Sequence, residues 1–110
     1  AEVRRPWIGI SGQPVSKQMI DTLGFPEGVY VSGVARSSPA SRAGISPFRS
    51  FTGDEQGDII TAIDDRPVGS VDDMVSYLNS KNPGDEIKIS VYRDLQTVDL
   101  AVTLDPWPDT

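Results

Sequence analysis

The chain contains no cysteine and no histidine. The first absence excludes disulfides, thiolate nucleophiles, zinc–cysteine sites and iron–sulfur clusters. It says little about compartment, because a cysteine-free domain is stable in either redox environment. The second absence removes Ser-His-Asp and Cys-His catalysis, histidine metal ligands and histidine pH switches. Long hydrophobic runs are missing too. None approaches the ~20 residues that span a bilayer, and no signal-peptide core is present, so no membrane insertion by this segment is expected. Runs of Lys and Arg are also lacking, and the net charge is −6; a nucleic-acid partner is not expected. Aromatics make up 7%, and Trp7, Phe48, Phe51 and Trp107 are too scattered along the chain to predict a base-stacking platform.

What is present fits one globular domain: 110 residues, 37% hydrophobic and 24% charged, long enough for one core without staples. The chain begins at Ala1 rather than Met, as expected of a piece of a longer protein. Its charge is uneven. Residues 1–53 carry six Lys/Arg against three Asp/Glu, and residues 54–110 carry four against thirteen.

Local patterns divide the chain into short elements. Trp7-Ile8-Gly9-Ile10 reads as a strand reached from Arg4-Arg5-Pro6. Residues 16–23 place Met19 and Leu23 at helical spacing, with Gly24 as a stop. The segment 28–34 alternates apolar with small or polar residues, as a half-buried strand does. Ser38-Pro39 followed by Gly44 predicts a helix of a turn or two, with a serine cap, proline at the first position and glycine at the end. Residues 46–57 hold Pro47, Gly53 and Gly57 and read as a surface loop, long for so small a domain. Residues 58–64 read as a buried strand, followed by a tight turn at Asp65-Arg66 and a short return at Pro67-Val68. Ser70 opens the best helix: Asp73 sits at the capping-box position, and Val71, Met74, Val75 and Leu78 share one face. Strands over 86–92 and 97–104, joined by Arg93-Asp94-Leu95-Gln96, complete the chain. This order predicts a mainly β fold, a small sandwich or partly open barrel of five to six strands with two to three short helices.

Few groups suit chemistry. Ser16-Lys17 and Ser80-Lys81 are the adjacent Ser and Lys pairs. A Ser/Lys dyad needs a desolvated lysine, whereas both lie on polar helix faces, and no catalytic residue is expected in this chain. Asp54 and Glu55 in a glycine-rich loop have the residue types of a calcium site but not the order of an EF-hand. Asp64-Asp65 and Asp72-Asp73 are paired only in sequence; adjacent residues do not face one another, and helix capping accounts for the second pair. No metal and no cofactor is expected. Gly9 stands out, since a glycine inside an apolar strand marks either a bend or a close backbone approach.

Taken together these segments resemble the PDZ domains of the HtrA/Deg serine-protease family, of the bacterial, circularly permuted type. Trp7-Ile8-Gly9-Ile10 is similar to that family's carboxylate-binding loop, Tyr/Trp-Φ-Gly-Φ. Gly28-Val29-Tyr30-Val31, Ser38 to Ile45, Gly57 to Ile63, Arg66-Pro67-Val68, the helix from Ser70 and Pro83-Gly84-Asp85 follow in family order. The resemblance covers about residues 4–104, with 46–57 as an insertion. It departs from the family at two turn tips: Asp64-Asp65 stands for Asn-Gly, and Asp94-Leu95 stands for Asp-Gly. Leucine does not adopt a positive φ comfortably, so a longer or different turn is expected at the second tip.

The resemblance implies a peptide-binding module that takes peptide or protein C-termini as an added strand. Its site residues would be Trp7, Ile8, Gly9, Ile10, Ser11, Gly12, Val71, Met74, Val75 and Leu78. Amides around Ile8, Gly9 and Ile10 would hold the terminal carboxylate, and Arg4 or Arg5 would add positive charge. Ile8, Ile10, Val75 and Leu78 would take a hydrophobic last side chain, and Val71 a hydrophobic one two residues earlier. Met74 falls on the boundary between groove and core, and a pure core role is the alternative for all the apolar members. Affinity on the order of micromolar is expected, because ordering the peptide offsets much of the gain. The implied parent is an HtrA-like serine protease outside the cytoplasm, to which the domain would deliver substrate or signal. The alternative parent is a tail-specific or intramembrane protease or a secretion component, with the domain as a docking or assembly surface.

Overall fold

The computed structural model describes residues 6–49 and 57–107. In chain order the elements are β1 (Pro6–Trp7), β2 (Ile10–Pro14), α1 (Lys17–Leu23), β3 (Val29–Val34), α2 (Pro39–Ala43), β4 (Ile59–Ile63), β5 (Arg66–Pro67), α3 (Val71–Leu78), β6 (Glu86–Arg93), β7 (Gln96–Thr103) and β8 (Asp105–Pro106). Six strands form one antiparallel sheet in the order β2-β3-β4-β6-β7, with β5 beside β4. Its two ends do not pair, so β2 is an open edge and the barrel stays open. A ribbon of β1 and β8, with Trp7 opposite Asp105, ties together the two ends of the described chain. The fold is mainly β with three short helices, as the sequence predicts; the ribbon is an addition.

The caps predicted at Ser38 and Ser70 are present, and Ser16 adds one that was not predicted. The Ser16, Ser38 and Ser70 hydroxyls accept from the amides of Met19, Ser41 and Asp73, and Gly24 and Gly44 end their helices in the left-handed conformation. Asp73 reaches back past the cap residue to accept from the Gly69 amide at 3.2 Å.

The main core joins Val29, Val31, Ile60, Ile63, Ile89 and Val91 to Met74 and Leu78 of α3. Ile59, next to Ile60, points the other way into a second cluster with Val15 and Phe25. Because β4 is buried on both faces, the α1 side must be covered as well, and Phe48 helps. It packs edge-on against Phe25 at 5.8 Å and Tyr30 at 5.7 Å, so this part of the insertion tucks inward. Residues 50–56, including Phe51, Asp54 and Glu55, lie outside the described residues. The base of the loop is held by Asp58, fully buried, which accepts from Arg93 Nε at 2.7 Å and from the Ser46 amide at 3.0 Å.

Two turns differ from expectation. The β4–β5 tip is Asp64-Asp65, where the family resemblance puts it and one residue earlier than the local pattern does, with φ of 50° and 67°. The β6–β7 tip is a two-residue turn after all: Arg93 pairs with Gln96, and Asp94 and Leu95 take φ of 50° and 64°. A tight hairpin needs this left-handed pair to match strand twist, and the eight-residue ladder on each side imposes it on Leu95 despite the steric cost.

Candidate functional site: a groove between the edge strand and α3

The segment read as one strand at Trp7–Ile10 is bent at Gly9. There φ is +85°, β1 ends at Trp7 and β2 begins at Ile10, so the expected strand is interrupted at Ile8-Gly9. The bend has a tertiary cause. A Cβ on Gly9 would lie 2.2 Å from Ser38 Cβ, so the loop can approach α2 only with glycine here. Ser38 is fully buried, and its hydroxyl donates to the Ala35 carbonyl at 2.7 Å. The Ala35 amide donates to the Gly9 carbonyl at 2.8 Å, and the Ala40 amide to the Ile8 carbonyl at 3.0 Å. Ala35, in the segment before α2, and Ala40 of α2 thus take up both loop carbonyls, and in trans peptides this turns the Gly9 and Ile10 amides the opposite way.

Beside the loop, β2 runs along α3 and leaves a groove of about 350 Å³. Ten of the twelve candidate site residues line it: Trp7, Ile8, Gly9, Ile10, Ser11, Gly12, Val71, Met74, Val75 and Leu78. The helical face divides by depth. Met74 and Leu78 are buried and belong to both core and groove floor, whereas Val71 is half-buried and Val75 is 39% exposed on the rim. Ile8 is likewise a floor residue, 5% exposed. A bulge between Ser11 and Gly12 bends β2 along the groove, and a Cβ on Gly12 would meet Val29 at 2.5 Å. Among the described residues no charged side chain lines the groove; Ser11 and Asn79 supply its polar side chains. Arg4 and Arg5 lie outside the described residues. Groups of three or more metal-ligating acids are absent among the described residues.

Three lining residues escaped the sequence reading: Pro6, Asn79 and Trp107. Trp107 comes from the far end of the chain, and the β1–β8 ribbon sets its ring 6.3 Å from that of Trp7, so these two tryptophans are not scattered in space. No local pattern around Trp107 announces this contact.

On the other side of α3, Tyr77 donates to Asp64 at 2.5 Å, with Arg66 and Lys81 5.3 and 5.1 Å from its ring centre. Asp64 also accepts from the Lys88 amide at 2.8 Å. Burial works against the Asp64 charge, but the Tyr77 hydroxyl, the Lys88 amide and Lys81 outweigh it and hold the carboxyl below its usual value. This cluster fixes α3 over the sheet and thereby the groove's far wall.

An edge strand, a helix beside it and a glycine-bent loop at the groove's end define a fold of the PDZ type. The PDZ domain family matches residues 6–104, and the chain belongs to that family. Its relatives place it among the PDZ domains of HtrA-type proteases. It is 27% identical over 98% of its length to a probable periplasmic serine endoprotease, DegP-like, of Halomonas elongata, and 30% identical over 97% to the one of Brucella suis. It spans about a fifth of each of these relatives. Both are named periplasmic, in agreement with the extracytoplasmic location expected from the sequence. Among solved structures, HtrA-type protease AlgW with a decapeptide superposes with a TM-score of 0.77 at 28% identity, over 97% of this chain and 31% of that one. The HtrA3 PDZ domain bound to a phage-derived ligand, at 23% identity and a TM-score of 0.72 over 91% of this chain and 85% of that one, shares the fold.

Proposed function

We propose that this domain binds the C-terminal ends of peptides or proteins in the β2–α3 groove and thereby regulates, or delivers substrate to, an HtrA-like serine protease of which it is part. The observation that carries the reading is the open edge of β2 facing an apolar groove that ends at a glycine-bent loop. A peptide adds to such an edge through its backbone. With no charged side chain in the described lining, the amides of Ile8, Gly9 and Ile10 are the groups that meet the terminal carboxylate, with Arg4 or Arg5 adding charge. Ile8, Ile10, Met74, Val75 and Leu78 take the last side chain, and Val71 faces the side chain two residues before it; both prefer hydrophobic residues. The chain by itself carries no catalysis, cofactor or nucleic-acid site in this reading. The decapeptide complex of the similar HtrA-type protease supports it.

Calorimetric titration of peptides ending in Val or Phe, as free acids and as amides, tests the reading. Free acids are expected to bind at the order of micromolar and the amides at least tenfold more weakly. Equal binding of both forms would remove the carboxylate mechanism, and no binding of either would remove peptide recognition. Sequence upstream of the chain tests the parent: a trypsin-like Gly-Asn-Ser-Gly segment is expected.

A further inference from the structure

Trp107 lines two hollows, and that is the starting point. One is the groove. The other, about 450 Å³, is bordered by Gly33 and Val34 of β3 and by Ala35. Trp7, Gly9, Ile10, Ser11 and Trp107 line both. The loop and the two tryptophans are therefore the partition between them. A peptide that ends at the loop stays within the groove, whereas a polypeptide that continues past the loop has to cross the partition to reach the second hollow.

The partition is built to stay in place. Asp105 pairs with Trp7 in the ribbon and with Arg42 of α2 at 2.8 Å. Arg42 also donates to the Ser37 carbonyl at 2.8 Å. Leu104 is buried and its carbonyl accepts from the Gly84 amide at 2.7 Å. Pro106 then fixes the backbone into Trp107. The indole is 48% exposed, so it stands above the loop instead of filling the core, and its ring keeps a tilted contact with Trp7. A bulky, half-exposed ring on an anchored support suits a barrier more than a packing role.

We infer that Trp107 is a specificity residue that closes the carboxylate end of the groove, making the site select free chain ends over internal segments. The inference rests on the peptide-binding reading above. It assigns the discrimination to two separable causes: the loop amides attract a carboxylate, and Trp107 obstructs a chain that continues.

The test uses the 110-residue chain and a hydrophobic peptide ending in Val, as a free acid and extended by three glycines, each titrated against wild type, Trp107→Phe and Trp107→Ala. Wild type is expected to prefer the free end by tenfold or more. Trp107→Ala is expected to bind the extended peptide several-fold more tightly, so that the preference falls toward twofold to threefold, while Trp107→Phe keeps most of it. Unchanged melting temperatures and far-ultraviolet spectra confirm that the variants fold; if Trp107→Ala does not fold, Trp107→Leu, shorter in reach than indole, takes its place and is expected to show the loss. An unchanged preference in folded Trp107→Ala or Trp107→Leu overturns the inference while leaving peptide binding intact. A wild-type chain that binds neither peptide overturns the binding reading itself.

Discussion

Gly9 meets two demands at once. Its φ of +85° is costly for an L side chain, and any Cβ would overlap Ser38. Gly9→Ala is therefore expected to cost about 2–3 kcal/mol of stability, read from urea denaturation, and to weaken peptide binding in the fraction that remains folded. From the sequence the glycine was visible as an anomaly inside an apolar run, but its partner was not, because Ser38 lies 29 residues away. Leu95 makes the opposite case: it is 87% exposed in a left-handed turn position, with strain and no burial to offset it. Leu95→Gly is expected to raise stability by about 0.5–1 kcal/mol, seen as a higher denaturant midpoint with an unchanged slope. Leucine's dislike of the position is legible in the sequence; that two paired eight-residue strands impose the tight turn regardless is not.

Helix α3 shows how one element serves packing and recognition together. Its i, i+4 spacing placed Val71, Met74, Val75 and Leu78 on a single face, and that much was legible from periodicity alone. Depth along the face was not. Met74 and Leu78 reach the core because β4 and β6 present Ile63, Ile89 and neighbouring side chains beneath them, while Val75 stays on the rim. Val75→Asp is accordingly expected to change stability by no more than about 0.5 kcal/mol, since the site is solvated. The same substitution should lower affinity for free-acid hydrophobic peptides tenfold or more, as it sets a carboxylate against both the apolar side chain and the terminal charge. Fluorescence titration beside a thermal melt separates the two effects; equal losses in both would show that Val75 acts mainly through packing.

At the scale of the whole molecule, Asp64 links three parts of the fold: the β4–β5 turn it occupies, Tyr77 of α3 and the Lys88 amide of β6. Its folded pKa is depressed, so it favours the folded state above the ordinary aspartate value of about 3.9, and that contribution is lost as pH falls through the lower folded value. The stability gap between wild type and Asp64→Asn is expected to be constant above about pH 5 and to shrink as pH drops below about 4. Asparagine tolerates the same positive φ, which keeps turn strain out of the comparison. The ribbon of β1 and β8 acts at this scale too, carrying Trp107 from the end of the described chain to the groove. By itself the sequence determined the mainly β class, the glycine caps, the serine caps at Ser38 and Ser70, the apolar faces and the PDZ resemblance, because caps, periodicity and motifs are each set within a few residues of one another. Tertiary structure alone decided the bend at Gly9, the tight turn at Leu95, the two-sided burial of β4 and the place of Trp107. Each of these depends on atoms brought together by strand pairing and packing across long stretches of chain, and no local spacing records such a meeting.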